Sequence, residues 1–331
     1  MANVAINGLG RIGRAALKII LETPRLELVA VNDLVPTGNL VYMLKYDSAY
    51  GRYEKLVTEK EDHLDIEGKA FKVFHEKDPL ELPWRELDVD ILFECTGVFT
   101  KKEDLNKHVQ AGAKHVILSA PSKSEDVPTI VHGVNDPKGD SPIIISCASC
   151  TTNCITPVVE VMGRRIGIQK AIMTTIHAYT SSQGIVDSPS KKFRRGRAGA
   201  INFVPTSTGA AVATTKALPQ YKGKFDGVAV RAPILVGSIA DLIFLTERKT
   251  SAEEVNGVFK EEAQSERYRD ILGVTEEPLV SSDIVKDPRA SIVDLSMTQV
   301  VDGDMVKVMS WYDNEWGYAN QMIREALRML A

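Results

Sequence analysis

Two short stretches hold residues whose types and spacing could do chemistry. The first is Cys150 in Ser146-Cys147-Ala148-Ser149-Cys150-Thr151-Thr152-Asn153-Cys154. Small and hydroxyl residues run into an apolar helical pattern (Ile155, Val158, Val159, Val161, Met162), with Ser149 placed as the N-cap. Cys150 then falls in the first helical turn, where the helix dipole favours a thiolate and lowers the thiol pKa. A nucleophilic cysteine needs a base or an imidazolium beside it. His177 closes the next strand-like run, 171–177, and is the candidate. The residues alone leave other readings open. Cys147 and Cys150 form a C-x-x-C that a redox pair would use, and three neighbouring cysteines suggest zinc, although no second ligand pair lies nearby. Cys154 and Cys95 read as buried packing.

The second stretch is Gly8-Leu9-Gly10-Arg11-Ile12-Gly13, a G-x-G-x-x-G. An apolar strand (4–7) precedes it, a helix (11–21) follows it, and Asp33 ends the next strand, 26–32. Each part has a physical task. Gly8 permits the tight turn, Gly10 lets the backbone approach a pyrophosphate, and Gly13 lets helix and strand pack closely. The helix N-terminus offers N–H groups and partial positive charge to the phosphates. Asp33 can accept hydrogen bonds from an adenosine ribose and repels a 2′-phosphate, which favours NAD over NADP. The bland alternative is a structural glycine turn with a surface aspartate.

The elements that must position these residues are legible in outline. Short aliphatic strands at 4–7, 26–32, 90–94 and 115–119 alternate with helical stretches such as 102–110. That alternation predicts a Rossmann-type doubly wound parallel sheet. Beyond a boundary near 148–152 the pattern changes: a helix over 151–165, a strand over 171–177, then longer, more alternating strands at 227–233, 238–246 and 305–311. These predict an α+β catalytic domain built on a mixed or antiparallel sheet. The expected division is a dinucleotide-binding domain over 1–149 and a catalytic domain over 150–314. The amphipathic helix over 315–331 is expected to pack back onto the first.

Composition bounds the partners. The 331 residues carry 40 Lys and Arg against 44 Asp and Glu, a net charge of −4, so nothing draws the chain as a whole to nucleic acid or an anionic membrane. The basic run 190–199 (SKKFRRGRAG) holds a single aromatic, Phe193, and reads as a solvated loop. No signal peptide or membrane-spanning apolar run is visible, and four cysteines without disulfide spacing suit a reducing, cytoplasmic setting. No metal site is expected.

At these residues the chain resembles phosphorylating glyceraldehyde-3-phosphate dehydrogenases. NGLGRIGR (7–14), LKYDSAYG (44–51), ECTGVF (94–99), LSAPSK (118–123), ASCTTNC (148–154), PTSTGAA (205–211) and WYDNEWGY (311–318) carry the likeness, which runs from about residue 2 to 329. The resemblance implies phosphorylating oxidation of glyceraldehyde 3-phosphate with NAD through a thiohemiacetal and a thioester on Cys150, with His177 as acid and base. It implies that Thr180 and Arg231 hold the substrate phosphate. Ser149, Thr151, Thr208 and Gly209 would receive inorganic phosphate, and Arg195 joins the substrate-binding set. Asn314 would hold the nicotinamide carboxamide. Gly8, Gly10, Arg11, Ile12, Gly13, Asp33, Lys77, Ser119 and Tyr318 complete the cofactor set. A homotetramer is implied as well.

Departures from the family pattern sharpen these expectations. Leu9 stands where phenylalanine is usual, Leu34 after Asp33 is the NAD-like choice, and Ser188-Pro189 leaves NADP use open. Two alternatives remain: an erythrose-4-phosphate dehydrogenase, which usually lacks PTSTGAA, and a catalytically idle NAD-binding regulator.

Overall fold

The computed structural model describes residues 1–137 and 142–331. The chain divides into two compact units. One comprises Met1–Ile130, Pro137–Ala148 and Met322–Ala331, and the other Val131–Asp136 and Ser149–Gln321.

In chain order the first unit contains β1 (Ala2–Asn7), α1 (Arg11–Ile20), β2 (Leu26–Asn32), α2 (Thr37–Lys45), the short β3 (Tyr46–Asp47) and β4 (Gly51–Arg52), β5 (Val57–Lys60), β6 (His63–Ile66), β7 (Lys69–Phe74), β8 (Ile91–Glu94), α3 (Lys102–Ala111), β9 (His115–Leu118) and β10 (Ile144–Ser146). The main sheet runs β10-β9-β8-β1-β2-β7-β6-β5. It is parallel from β10 to β7, and β6 and β5 add antiparallel to that edge. This is the doubly wound parallel sheet expected. β1 and β8 are buried along most of their length because both sheet faces are covered, which explains their apolar runs, Val4-Ala5-Ile6 and Ile91-Leu92-Phe93. Trp84, Leu92, Leu105, Val116 and Leu118 pack together in one core cluster, and Ala16, Leu17 and Ile20 of α1 are also buried. Strand order reverses at β1, between β8 and β2, and such a switch point is where open α/β sheets bind ligands.

The glycine turn follows from close approach. Gly8 has φ +92, and a Cβ there would lie 2.7 Å from the Thr96 nitrogen. A Cβ on Gly13 would lie 1.9 Å from the Gly8 carbonyl oxygen, whereas a Cβ on Gly10 would meet nothing within 4 Å. The two positions should therefore separate in experiment. Gly13→Ala must push α1 off β1 and is expected to cost about 2–3 kcal/mol of stability. Gly10→Ala should keep its melting temperature yet lose NAD affinity, because its methyl fills the room left for a pyrophosphate. Thermal melts paired with calorimetric NAD titrations check both.

The second unit contains α4 (Cys150–Arg165), β11 (Ile168–Ala178), β12 (Val204–Ser207), α5 (Ala210–Ala217), β13 (Phe225–Ala232), β14 (Ser238–Thr246), α6 (Ala252–Gln264), β15 (Leu272–Thr275), β16 (Ser291–Val301), β17 (Met305–Tyr312) and the start of α7 (Trp316–Met329). Its sheet runs β12-β13-β11-β14-β17-β16-β15 and is mixed: β11 pairs parallel with β13 and antiparallel with β14. Burial alternates along β14 and β17, so one face is core. On that face Met173, Leu242, Phe244, Val306 and Val308 pack with Ile155, Val158 and Met162 of α4.

Candidate active site

The thiol site is built where α4 begins in the second unit. Ser149 caps the helix as expected, its Oγ accepting from the Thr152 nitrogen at 3.2 Å. The residue before it, Ala148, is fully buried with φ +56, a left-handed conformation that costs a non-glycine residue roughly 1–3 kcal/mol. Strain of that kind persists where the surroundings fix a neighbour's geometry. Cys150 is the first helical residue, half-buried, with its sulfur 3.3 Å from His177 Nε2. His177 sits at the inner-facing end of β11, on the same alternation as Met173 and Thr175.

Arg231 reaches this pair through strand register. β11 and β13 run parallel with His177 opposite Arg231. Arg231 Nη1 lies 2.5 Å from His177 Nδ1 and donates to the Ala178 carbonyl at 3.0 Å. His177 Nδ1 is 2.6 Å from that same carbonyl. Two partners compete for Nδ1: the Ala178 carbonyl accepts from an Nδ1–H, whereas the Arg231 guanidinium only donates, and the carbonyl contact is the one compatible with Nε2 as the acceptor facing sulfur. Burial, with Arg231 and Arg195 beside the ring, pushes the His177 pKa down to about 3, so the imidazole is neutral at physiological pH. Burial also pushes the Cys150 thiol up, although Arg231 and hydrogen bonds from the first helical turn pull it down. The expectation of a net depression from the helix dipole is thus corrected: desolvation outweighs it in the free protein, and the resting pair is a thiol beside a neutral imidazole.

Thr151 and Arg195 stand beside this pair, and the other expected site residues are held by contacts of their own. Thr151 Oγ1 is 4.0 Å from the Cys150 sulfur. Arg195 is held by Thr206 Oγ1 at 2.9 Å and the Ser207 carbonyl at 3.2 Å. Thr180 follows β11 by two residues and contacts Ser182 Oγ at 2.8 Å. Thr208 and Gly209 sit at the N-terminus of α5, with Thr208 Oγ1 accepting from the Ala210 nitrogen at 3.2 Å. The Asn314 carboxamide oxygen accepts from the Gly237 nitrogen (3.1 Å) and Ser238 Oγ (2.9 Å), which leaves its NH₂ group as the donor end of the amide. Tyr318 is buried in α7.

Tyr312 was not anticipated. Its hydroxyl bridges Thr151 Oγ1 (2.9 Å) and Thr175 Oγ1 (2.8 Å), and its ring meets His177 edge-on at 6.0 Å. The signal was present in the alternation of β17, where Val306, Val308, Ser310 and Tyr312 share the inner face. Cys154 is buried as packing, within hydrogen-bonding range of Ser291 Oγ and the Ser310 carbonyl at 3.8 Å each. Cys147 is buried too, and all four cysteines are free thiols.

In the first unit the glycine turn opens onto a cavity of about 760 Å³ whose wall includes Gly8, Gly10, Asp33, Lys77, Thr96 and Phe99. Asp33 is fixed there, Oδ2 accepting from the Leu9 nitrogen (2.7 Å) and Oδ1 from the Val35 nitrogen (3.0 Å). Gly10 is the N-cap of α1 and brings no side chain to the first turn, so the room above it stays open for a phosphate. These residues fit a dinucleotide. Arg11, Ile12, Gly13 and Ser119 are not on this wall. Arg11 pairs with Asp47 at 2.5 Å, Gly13 packs beneath the turn, and the Ser119 nitrogen donates to the Glu94 carbonyl at 3.0 Å.

Such parts describe a dinucleotide-dependent oxidoreductase that works through a thiol. Residues 2–102 match the family described as glyceraldehyde 3-phosphate dehydrogenase, NAD binding domain, and residues 149–314 match its C-terminal domain. The chain is 50% identical to glyceraldehyde-3-phosphate dehydrogenase 2 of Streptomyces avermitilis over 323 residues, covering 97% of this chain and 96% of that one. It is 47% identical to the Clostridium pasteurianum glyceraldehyde-3-phosphate dehydrogenase over 330 residues, 98% and 97% of the two chains. The Geobacillus stearothermophilus enzyme of that name is 48% identical over 97% of this chain and 96% of its own. The chain belongs to the glyceraldehyde 3-phosphate dehydrogenase family.

Proposed function

We propose that this chain oxidises glyceraldehyde 3-phosphate to 1,3-bisphosphoglycerate with NAD and inorganic phosphate. The observation that carries the chemistry is the Cys150 sulfur 3.3 Å from His177 Nε2 at a helix N-terminus. Sulfur attacks the aldehyde carbon as its proton passes to Nε2 and on to the former carbonyl oxygen, which gives the thiohemiacetal, and Nε2 takes that hydroxyl proton back as hydride leaves. The Cys150 backbone N–H, in the first turn of α4, is assigned to the oxygen that gains charge. NAD, when bound, accepts the hydride that leaves this carbon, and the product on sulfur is a thioester. The oxygen of inorganic phosphate then displaces sulfur, giving the acyl phosphate and regenerating Cys150, while the proton on His177 goes to solvent. An imidazole kept neutral by its surroundings is suited to receive that proton.

Arg231 is assigned to the substrate phosphate with Thr180 and Arg195. Its Nε is buried without a hydrogen-bond partner, and a donor left unpaired costs roughly 1–3 kcal/mol unless a ligand satisfies it. Ser149, Thr151, Thr208 and Gly209 are assigned to inorganic phosphate, supported by the helix N-termini they occupy. Asn314 presents its NH₂ to the nicotinamide carboxamide, with Tyr318 nearby in sequence. Gly8, Gly10, Asp33 and Lys77 hold the rest of the dinucleotide, with Gly13 shaping the turn and Arg11, Ile12 and Ser119 flanking it. The Asp33 carboxylate favours NAD, and Lys77 on the same wall is the feature that would admit NADP. The domains are taken as 1–149 for the dinucleotide and 150–314 for catalysis, with 315–331 assigned to the first, although the second compact unit also takes in Val131–Asp136 and runs on to Gln321, so that only Met322–Ala331 of the last helix falls in the first unit.

A cytoplasmic homotetramer completes the proposal. Exposed Ile172, Val228 and Ile243 on neighbouring strands, and exposed Phe193, Ile201 and Phe203 between β11 and β12, support burial against other copies. Free thiols suit a reducing compartment. Among the described residues no helix is long and apolar enough to cross a membrane.

The test is NADH formation from glyceraldehyde 3-phosphate with and without inorganic phosphate. Steady turnover should fall at least about tenfold when phosphate is withheld, since the thioester then waits for water. Phosphate-independent turnover, or equal rates with erythrose 4-phosphate, would overturn the assignment.

A further inference from the structure

We propose that Glu94 is a positioning residue for the adenosine half of NAD, a buried carboxylate that holds the cavity wall in its binding shape. The proposal rests on the reading of this cavity as the NAD site. Glu94 ends β8 and is 0% exposed. It lies beside Asn7, the last residue of β1, in the parallel register of the two strands. Four donors converge on its two oxygens. Oε1 accepts from the Thr96 nitrogen (2.8 Å) and Thr96 Oγ1 (2.5 Å). Oε2 accepts from Asn7 Nδ2 (2.6 Å) and His108 Nε2 (3.1 Å).

The direction of the last bond is fixed from behind. His108, also 0% exposed, lies on α3, and its Nδ1 receives the Trp84 indole N–H at 3.1 Å. An indole N–H only donates, so Nδ1 carries no proton and Nε2 does. Every group facing Glu94 is therefore a neutral donor, and the carboxylate is the acceptor-only group that satisfies all of them.

The network ends on the cavity wall. Asn7 Oδ1 accepts from Asn32 Nδ2 (2.7 Å), and Asn32 exchanges bonds with the Glu76 backbone at 2.8 and 2.9 Å. Thr96 Oγ1, besides donating to Glu94, accepts from the Val98 nitrogen at 3.1 Å, which pins the turn through Gly97 (φ +71) that leads to Phe99. Asn7, Asn32, Glu76, Thr96, Val98 and Phe99 all line the cavity that holds Asp33. Asp33 directly follows β2, the strand beside β1, where the adenosine ribose binds in this fold. Glu94 touches none of that space. It acts through Asn7 and Thr96, joining two strand ends and α3 so that the slot exists before the ligand arrives.

No neutral isostere satisfies the same partners. With Glu94→Gln, the amide oxygen can serve Thr96, but its NH₂ then faces Asn7 Nδ2 and His108 Nε2–H. A switched His108 tautomer only moves the conflict to Trp84. The readout is calorimetric binding of ADP-ribose and NAD to the full chain, with kinetics and a thermal melt alongside. Glu94→Gln is expected to weaken ADP-ribose and NAD about tenfold, the effect of one buried group left unsatisfied, and to raise KM for NAD equally. Its kcat at saturating NAD should stay within about twofold, the pattern of lost uniform binding. A lower melting temperature with unchanged ADP-ribose affinity, or a kcat loss beyond twofold, would overturn the proposal. If Glu94→Gln does not fold, His108→Phe removes one donor to Glu94 and should weaken ADP-ribose about threefold or more, and unchanged affinity would overturn it. A wild-type chain that binds neither NAD nor ADP-ribose would instead remove the NAD reading. Wild-type binding with unmoved variants removes only the role of Glu94.

Discussion

Replacing Cys150 with serine is expected to lower kcat by roughly four orders of magnitude, about 5 kcal/mol of transition-state stabilisation, while NAD affinity stays within about twofold. The two parts of this expectation have separate causes. A hydroxyl is far harder to deprotonate than a thiol and leaves an acyl carbon far less readily, so both addition and transfer to phosphate suffer. The dinucleotide cavity, by contrast, is built from the ends of β1, β2 and β8, and its wall includes none of α4. Steady-state kinetics and calorimetric titration with NAD check the two parts. A variant with near-normal turnover would take Cys150 out of the reaction, and one that loses NAD binding would mean the substitution disturbs more than the sulfur.

His177→Asn should cost roughly a hundredfold to ten-thousandfold in kcat, the range for removing a proton acceptor. Asparagine can still approach Ala178 and Arg231, but nothing then takes the proton from sulfur, which burial holds above the ordinary thiol range. Alkylation of Cys150 by iodoacetamide should slow in parallel. The same variant tests the direction of the histidine shift. In the folded chain His177 takes up a proton only near pH 3, whereas the unfolded chain does so near 6.5. Between those values the unfolded state binds more protons, so wild-type stability falls as pH falls, by up to about 1.4 kcal/mol per pH unit from this group. The variant lacks this term. Denaturant melts at pH 7 and pH 4 should show the wild type losing more stability than the variant, and equal losses would contradict a buried neutral imidazole.

How much of this was legible in the sequence depended on the range of the interaction. The glycine turn and Asp33 depend on one strand, one turn and one helix, and their spacing along the chain encodes them. Ser149 as cap and Cys150 as the first helical residue were equally local. The partners of Cys150 were harder to see. Arg231 meets His177 because β11 and β13 pair in parallel across a separation of 54 residues, and no local pattern states that pairing. Tyr312 reaches Thr151 from 161 residues away, through the β14–β17 pairing. The pKa of Cys150 shows the limit most clearly. A helix N-terminus is readable and argues for a low value, but burial of the sulfur is a tertiary property and carries the opposite sign. Glu94 was read only as part of a resembling segment, because a lone glutamate ending an aliphatic strand does not announce four buried donors.

The central claim is that the aldehyde becomes covalently attached to Cys150 and is oxidised there. The most direct measurement mixes the protein with NAD and glyceraldehyde 3-phosphate in phosphate-free buffer, follows the first turnover, and quenches in acid for peptide mass analysis. The account predicts a burst of about one NADH per chain and a 3-phosphoglyceryl thioester on the peptide that contains Cys150. A burst without any adduct on that peptide, or an adduct on Cys95 or Cys147 instead, would contradict it.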